Sequence, residues 1–269
     1  MNHIRRLVLV LAALTIAVFA GLAVSSVSVR TEEPQQNRLD AVLAAKVLRV
    51  GTTGDYRPFS YLNAESKTFE GVDIDMARAL AKSLGVEVEF VETSWPHLMD
   101  DLVANKFDIA MGGISVTLER QKKALFSIPL MVDGKAAASR CADKDKYQSL
   151  DAIDRDGVKV VTNPGGTNER FDRATLKHAA IEVYPDNKTI WQQLLDGKAD
   201  VMITDASETM LWQKEHAGLC AIHPEAPFNF SEKAYLLPRD LMWKDYVDQW
   251  LHQAIETKEY KAAFERWFK

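Results

Sequence analysis

The sequence has few cysteines and no excess of basic residues. Of its 269 residues, 33 are Lys or Arg and 38 are Asp or Glu, which gives a formal net charge of -5. Proteins that bind nucleic acid through its phosphates rely on basic surfaces, so this balance argues against a nucleic-acid partner. The hydrophobic share of 47% fits a soluble globular protein with one large domain or two small ones.

Motifs for metal, nucleotide and thiol chemistry are also missing. The six histidines are scattered without the spacing of metal ligands, and there is no Cys-x-x-Cys. Two glycine pairs, Gly112-Gly113 and Gly165-Gly166, match neither the dinucleotide-binding nor the P-loop pattern. The sequence therefore gives no support for metal, nucleotide or thiol chemistry. It also has no low-complexity regions and no short repeats.

The N-terminal segment has the pattern of an export signal. Arg5 and Arg6 precede an apolar run over residues 7–24, and serines follow it. We interpret residues 1–30 as a secretory signal peptide, with an uncleaved N-terminal membrane anchor as the alternative. Neither cysteine lies near this segment, which excludes a lipid-modified cysteine anchor and favours the periplasm of a Gram-negative bacterium.

The two cysteines, Cys141 and Cys220, lie far apart in the chain. In an oxidising compartment we expect them to form one disulfide, and two buried free thiols are the alternative. A bond between them would close a long loop and stabilise the fold by roughly 4 kcal/mol through restriction of the unfolded chain.

Strand-like and helix-like segments alternate along the chain in two blocks. The strands predicted for the first block cover residues 46–51, 86–91 and 109–111. The strands predicted for the second block cover residues 158–162, 181–184 and 201–204. Helical spacing of apolar residues over 72–84, ended by Gly85, is typical of the segments between strands.

This order predicts an α/β protein with two lobes, each a mostly parallel sheet flanked by helices. We assign residues 38–133 and 230–269 to lobe 1, and residues 134–229 to lobe 2. The chain then crosses between the lobes twice, and the two crossings form a hinge. A small-molecule ligand is expected in the cleft between the lobes.

One glycine-rich run joins a predicted strand to a predicted helix. Its sequence is Asn163-Pro164-Gly165-Gly166-Thr167-Asn168-Glu169-Arg170. Glycines let backbone N–H groups approach a ligand closely, and the first turn of a helix has unpaired N–H donors and partial positive charge. The run therefore predicts an anion site, with a carboxylate as the expected guest. Glu169 is an acid beside a site that attracts acids.

Several segments resemble family 3 periplasmic solute-binding proteins. They are Leu48-Arg49-Val50-Gly51, Tyr56-Arg57-Pro58-Phe59-Ser60, Gly71-Val72-Asp73-Ile74-Asp75-Met76 and Phe107-Asp108-Ile109-Ala110. Within that superfamily the chain more narrowly resembles the cyclohexadienyl dehydratase family. The segments that carry this resemblance are Thr52-Thr53-Gly54-Asp55-Tyr56, Thr93-Ser94-Trp95-Pro96, Gly113-Ile114-Ser115, Leu118-Glu119-Arg120-Gln121, residues 163–169 and residues 232–239.

The resemblance implies a periplasmic-binding-protein type II fold and an enzyme of aromatic amino-acid biosynthesis. Members of that enzyme family convert prephenate to phenylpyruvate, or arogenate to phenylalanine, with loss of carbon dioxide and water. No metal or organic cofactor is implied. The reaction needs a proton donor for the departing ring hydroxyl and a site that leaves the ring carboxylate free to depart.

The resemblance also implies roles for individual residues. Glu169 is the predicted general acid, although an acid in the first turn of a helix is also favoured by the helix dipole alone. Arg120 is predicted to bind the side-chain carboxylate of the substrate through its guanidinium fork. The other predicted substrate-binding residues are Tyr56, Trp95, Ser115, Thr117, Asn163, Gly166, Thr167, Asn168 and Asp205.

The alternative function is a non-catalytic amino-acid-binding protein that delivers its ligand to the permease of an ABC transporter. In amino-acid-binding relatives an acid at the position of Asp205 pairs with the α-amino group of the ligand. Under either function, contact with a membrane is expected only through residues 1–30 if the signal is not cleaved.

Overall fold

Two five-stranded sheets and their helices form residues 37–268, the part of the chain that this computed structural model describes. The predicted signal peptide, residues 1–30, lies outside the described residues. The strands are β1 (Val47–Thr52), β2 (Asp55–Tyr56), β3 (Ser60–Leu62), β4 (Phe69–Glu70), β5 (Glu87–Glu92), β6 (Ile109–Ala110), β7 (Leu125–Phe126), β8 (Met131–Asp133), β9 (Lys135–Arg140), β10 (Lys159–Thr162), β11 (Ala180–Val183), β12 (Val201–Asp205), β13 (Leu219–Ile222), β14 (Ser231–Lys233) and β15 (Leu236–Leu237). The helices are α1 (Arg38–Ala45), α2 (Val72–Leu84), α3 (Leu98–Val103), α4 (Leu118–Gln121), α5 (Leu150–Ile153), α6 (Thr167–Thr175), α7 (Ile190–Leu195), α8 (Ala206–Glu215), α9 (Leu241–Glu256) and α10 (Glu259–Trp267).

The two sheets share one pattern of connection. The first has the order β5-β1-β6-β15-β7, and the second has the order β11-β10-β12-β9-β13. β1 lies between two parallel neighbours, and so does β10. Helices return the chain between these parallel strands, so the loops after the strands gather at one edge of each sheet.

In each sheet four of the five strands run in one direction, as the sequence predicted, and one strand runs against them. β15 pairs antiparallel with β6 and β7, and β9 pairs antiparallel with β12 and β13. β9 and β15 follow the segments that connect the two sheets rather than a strand–helix–strand unit. No right-handed crossover therefore sets their direction. The predicted α/β architecture of two helix-flanked sheets is confirmed.

Helix α2 shows how local sequence places an element against the first sheet. Met76 and Leu80 lie on its buried face, at the spacing that the sequence predicted. Asp73 and Asp75 favour its first turn through the helix dipole, and Gly85 ends it with a φ of 67°. The buried face packs in the same core as β1, where each fully buried apolar side chain contributes roughly 1.5–3 kcal/mol.

The second sheet is covered on both faces. Val160 and Val201 pack in one apolar cluster, whereas Val161 and Met202 pack in another. Strand β12 is consequently buried along its whole length, as expected for a central strand with helices on both sides. Its last residue, Asp205, is a buried carboxylate and needs polar partners.

Short strands pair where the chain passes between the two sheets. In the antiparallel ladder of β8 and β14, Ser231 pairs with Asp133 and Lys233 pairs with Met131. Both strands lie next to the crossings that the sequence predicted. The lobe boundaries at 133/134 and 229/230 stay a prediction.

Two elements were not predicted from the sequence. One is helix α1, which the side chain of Asn37 caps by accepting the N–H of Asp40. The other is a small antiparallel sheet of β2, β3 and β4 between the predicted strand 46–51 and the predicted helix 72–84. Both elements are short, and apolar periodicity is weak over such lengths.

Cys141 and Cys220 form a disulfide, so the predicted pairing is confirmed. Cys141 directly follows β9, and Cys220 lies in β13, the antiparallel neighbour of β9. The bond therefore fastens an outer strand of the second sheet.

Candidate active site

A pocket of about 310 Å³ lies among loops that belong to both sheets. Its lining consists of Tyr56, Trp95, Gly113, Ser115, Arg120, Asn163, Gly166, Thr167, Asn168, Asn187, Asp205 and Glu208. All of the predicted substrate-binding residues except Thr117 are in this lining, and their role in binding stays a prediction. Thr117 instead caps α4, where its hydroxyl accepts the N–H of Arg120 at 3.2 Å.

Arg120 brings a buried positive charge to the pocket. Its side chain donates from Nη1 to the carbonyl oxygen of Ser115 at 2.8 Å, and it forms no salt bridge with any carboxylate among residues 37–268. Burial and the nearby charge of Arg170 lower the pKa of Arg120 to about 10, so the guanidinium stays charged at neutral pH. A buried cation without an acidic partner favours an anionic ligand.

Asp205 is held by two buried lysines that the sequence reading missed. Its Oδ1 accepts from Lys135 Nζ at 2.7 Å, and its Oδ2 accepts from Lys233 Nζ and, at 2.6 Å, from the hydroxyl of Tyr56. Burial raises the pKa of Asp205, but the charges of the two lysines outweigh it and the net shift is downward. Asp205 is thus ionised and already paired on both oxygens.

A signal for these lysines is present in the sequence. Lys135 comes directly before three alanines, and Lys233 comes directly before Ala234-Tyr235-Leu236. A single lysine at the start of an apolar strand is unusual, because a buried lysine needs a carboxylate partner. Only the folded chain identifies that partner as Asp205.

Asn168 links the glycine-rich loop to the second sheet. Its Nδ2 donates to Asn163 Oδ1 and to Thr204 Oγ1, both at 2.9 Å, and its Oδ1 accepts from Lys135 Nζ. Every polar atom of this buried amide thus has a partner, which fixes the side chain at the bottom of the pocket.

Tyr56 and Trp95 form an aromatic wall. Their ring centroids are 5.8 Å apart in an edge-to-face arrangement. A hydrogen bond from its Nε1 to Asp55 Oδ1, at 3.1 Å, fixes the indole of Trp95. Burial raises the pKa of Asp55 to about 6. The wall is suited to contact a six-membered ring.

Glu169, the predicted general acid, lies outside the lining of this pocket. Its Oε2 accepts the N–H of Gly165 at 2.7 Å, and its Oε1 pairs with Arg173 at 2.8 Å. These contacts, the Gly165 N–H first and Arg173 second, lower the pKa of Glu169. The arrangement favours the ionised carboxylate, whereas a general acid must carry a proton.

Glu208 has the environment that Glu169 lacks. It lies in the lining, is only 3% exposed, and accepts a hydrogen bond from Thr204 Oγ1 at 2.6 Å on Oε2. Burial raises the pKa of Glu208 to about 8; the bond from Thr204 opposes the shift and the charge of Asp205 adds to it. This environment favours the protonated form of Glu208.

The sequence reading assigned Glu208 only to a helix. The available signal was its position in the first turn of α8, three residues after Asp205, the acid that ends a buried strand. Which way the side chain faces depends on the packing of α8, where residues 206–209 are all buried.

No group of three or more His, Cys, Asp or Glu side chains within residues 37–268 is arranged to hold a metal ion. None of the helices in that range is long and apolar enough to cross a membrane.

The family model for bacterial extracellular solute-binding proteins, family 3, matches residues 48–269. The chain belongs to this family. A cyclohexadienyl dehydratase of Pseudomonas aeruginosa is 53% identical to it over 237 residues, which is 88% of each chain. The chain is thus a homologue of an enzyme, and the resemblance seen in the sequence is confirmed.

Two solved structures from family 3 bear on the fold. An ancestral cyclohexadienyl dehydratase is 51% identical, with a TM-score of 0.56, covering 88% of this chain and 98% of its own. An ancestral amino acid-binding protein, described as a precursor of cyclohexadienyl dehydratase, is 34% identical with a TM-score of 0.80, covering 86% of this chain and 99% of its own. The type II periplasmic-binding-protein fold is confirmed.

Proposed function

We propose that this family 3 protein is a periplasmic dehydratase that converts prephenate to phenylpyruvate, and arogenate to phenylalanine less well. The observation that carries the proposal is the buried carboxyl group of Glu208 in a pocket that also holds the buried cation Arg120. Similarity to cyclohexadienyl dehydratase supports the reaction class.

Glu208 is the general acid in this proposal, in place of Glu169. Its proton passes to the ring hydroxyl, which leaves as water. The bond between the ring and its carboxylate breaks, carbon dioxide departs, and the released electron pair completes the aromatic ring. Only one proton is transferred, and the chemistry needs no cofactor. The side chain of Glu208 ends ionised and is reprotonated from solvent before the next turnover.

Charge distribution determines how the substrate lies. Arg120 pairs with the carboxylate of the pyruvyl side chain, and the ring lies against Tyr56 and Trp95. No other cation without an acidic partner is in the described lining, so the ring carboxylate is left without an ion pair. That is the carboxylate that must leave as carbon dioxide. Interactions confined to the part of the substrate that does not react hold it without stabilising the bond that breaks.

Asp205 favours prephenate over arogenate. Both of its oxygens are paired with lysines, so it offers no free carboxylate to an α-ammonium group. Arogenate carries that ammonium, whereas prephenate carries a keto group in its place. The remaining predicted contacts, from Ser115, Thr167 and backbone N–H groups of the glycine-rich loop, fit carboxylate and keto oxygens.

The test is turnover of prephenate by the purified protein, followed as phenylpyruvate. We expect Glu208→Gln to lower kcat by about 10²- to 10⁴-fold. Glu169→Gln is the matched control, and we expect it to keep most of the rate because that side chain is outside the lining. Circular dichroism checks that both variants fold. A large loss of kcat in Glu169→Gln, with little loss in Glu208→Gln, would instead identify Glu169 as the acid. Wild-type turnover no faster than the solution reaction would reject the dehydratase.

The second candidate is an amino-acid-binding protein of an ABC transporter. Similarity to the ancestral amino acid-binding protein favours it. Against it, the carboxylate of Asp205 is occupied by Lys135 and Lys233. Calorimetry with the standard amino acids separates the two candidates, since tight binding of one of them without turnover would support transport. A permease gene next to the gene for this protein would also support transport.

A further inference from the structure

A second cavity adjoins the candidate active site and has no role in the proposed reaction. It has a volume of about 360 Å³ and is open to solvent. Its lining consists of Ser115, Val116, Thr117, Lys135, Thr167, Arg170, Phe171, Asn229, Phe230 and Ser231. Ser115 and Thr167 line both cavities, so these two residues form the wall between them.

The wall is rigid because buried groups hold it. Lys135 Nζ donates to Thr167 Oγ1 at 3.0 Å and to Asp205 at 2.7 Å. Ser115 pairs with Lys233 in an isolated β-bridge and accepts from its Nζ at 3.0 Å. A molecule in the second cavity would therefore contact residues on the far side of Ser115 and Thr167 from Asp205 and Glu208, which line only the active-site pocket.

Arg170 supplies an available positive charge to the second cavity. It is exposed and forms no salt bridge with any carboxylate among residues 37–268. Glu119, an exposed acid within electrostatic range, pairs with Lys122 at 2.7 Å instead. Arg170 is also near enough to Arg120 for the two cations to repel each other. An anion bound beside Arg170 would relieve that repulsion.

Two aromatic side chains line the same cavity. Phe230 is 70% exposed, which is high for so large an apolar residue. Phe171 is half-buried and stacks on Phe228, with ring planes 12° apart and centroids separated by 6.4 Å. A guanidinium, an aromatic surface and the hydroxyl of Thr117 thus occur in one cavity. This combination recognises a molecule with a carboxylate at one end and an apolar ring at the other.

The cavity is lined by both segments that connect the two sheets. Asn229 Oδ1 accepts the N–H of Lys135 at 2.7 Å, which ties one connecting segment to the other. Ser231 is the first residue of β14 and pairs with Asp133 in β8. A ligand here would contact these segments and also helix α6.

We propose that this cavity is a second binding site, distinct from the active-site pocket, for a small aromatic carboxylate. Arg170 and Thr117 bind the carboxylate, and Phe171 and Phe230 contact the ring. The site does not depend on the proposed reaction, because its ligand class follows from its own lining.

Calorimetric titration of the purified protein with 3-phenylpropanoate tests the proposal. We expect two classes of site in the wild type. Arg170→Gln should weaken binding at one class of site at least tenfold and leave binding at the second class unchanged. Arg120→Gln should weaken binding at that second class. Phe230→Ala should weaken the same class as Arg170→Gln. The neutral 3-phenylpropanamide should bind the Arg170 class at least tenfold less tightly.

The matched control is Arg173→Gln, which removes the same charge from the same helix. Arg173 is paired with Glu169 and does not line the cavity, so both classes should persist. A single class in the wild type that Arg170→Gln leaves unchanged would overturn the proposal. So would two classes that Arg170→Gln and Phe230→Ala leave unchanged, or an equal loss in Arg173→Gln.

Discussion

At the residue scale, two glutamates of one chain differ in their readiness to donate a proton. Glu169 is held by a backbone N–H and by Arg173, both of which favour the charged form. Glu208 is buried and shares its surroundings with ionised Asp205, which favours the neutral form. Environment rather than residue type therefore makes the two glutamates differ in pKa.

The pH dependence of turnover separates the two glutamates. With Glu208 as the acid, kcat/KM should be level at neutral pH and fall about tenfold per pH unit above pH 8, as its proton is lost. An acid with a lowered pKa, such as Glu169, would give a fall that begins below pH 4.5. Initial rates of phenylpyruvate formation from pH 5 to 10 measure the profile. A level profile across pH 8 would contradict the role of Glu208.

At the scale of elements, the glycine-rich loop after β10 approaches the loop after β5. Gly165 has a φ of 73°, and a Cβ placed there would lie 2.7 Å from Pro96 Cγ. Glycine is needed both for the left-handed backbone and for the close approach. The same contact brings the loop of Trp95 next to the loop of Asn163.

We expect Gly165→Ala to raise KM about tenfold, a loss of about 1.4 kcal/mol, because the two loops can no longer meet. Gly157→Ala is a matched control: Gly157 also has a positive φ, 89°, but nothing lies within 4 Å of its added Cβ. Gly165→Ala should lose more stability in urea than Gly157→Ala, because it adds the clash with Pro96 to the positive φ that both positions share, and only Gly165→Ala should change KM. Equal KM values in the two variants would argue against the loop contact.

The disulfide between Cys141 and Cys220 acts on stability and leaves the pocket intact. Its sequence separation of 79 corresponds to a stabilisation of roughly 4 kcal/mol in the entropic model. Reduction should therefore lower the melting temperature with little change in kcat. The double variant Cys141→Ala, Cys220→Ala should melt at that lower temperature with or without reductant. An unchanged melting temperature after complete reduction, checked by thiol titration, would contradict this.

The sequence was informative about loops and uninformative about burial. Tyr56, Trp95 and Asn163 could be assigned to the pocket because they follow predicted strands, whose ends meet at one edge of a sheet. Glu208 and Lys233 could not, because their roles depend on burial, which the sequence around each of them does not reveal. The reversed direction of β9 and β15 was not predicted either, since it depends on the path between the sheets.

At the scale of the whole molecule, buried acids make stability depend on pH. Glu208 has a folded-state pKa raised from 4.5 to about 8, so the folded protein binds a proton that the unfolded chain has lost within that range. The free energy of unfolding should fall with rising pH across this window, by about 1.4 kcal/mol per pH unit from this group. Asp172, with a pKa raised by burial to about 7, acts in the same direction.

Comparison with Glu208→Gln isolates this contribution. Because glutamine does not titrate, the variant should gain stability relative to the wild type as pH rises from 5 to 8. Urea unfolding at pH 5, 6.5 and 8 measures the difference. Parallel curves for the two proteins would mean that Glu208 is ionised in the folded state.

Arg120 is a buried cation that forms no salt bridge within residues 37–268, whereas Lys135 and Lys233 are both paired with Asp205. Arg120 therefore attracts anions from solution, and buffer components can supply them. Citrate and phthalate carry the carboxylates that Arg120 accepts, so either should act as a competitive inhibitor. Affinities measured after purification in such buffers would be too low, and amine or zwitterionic buffers are the appropriate choice.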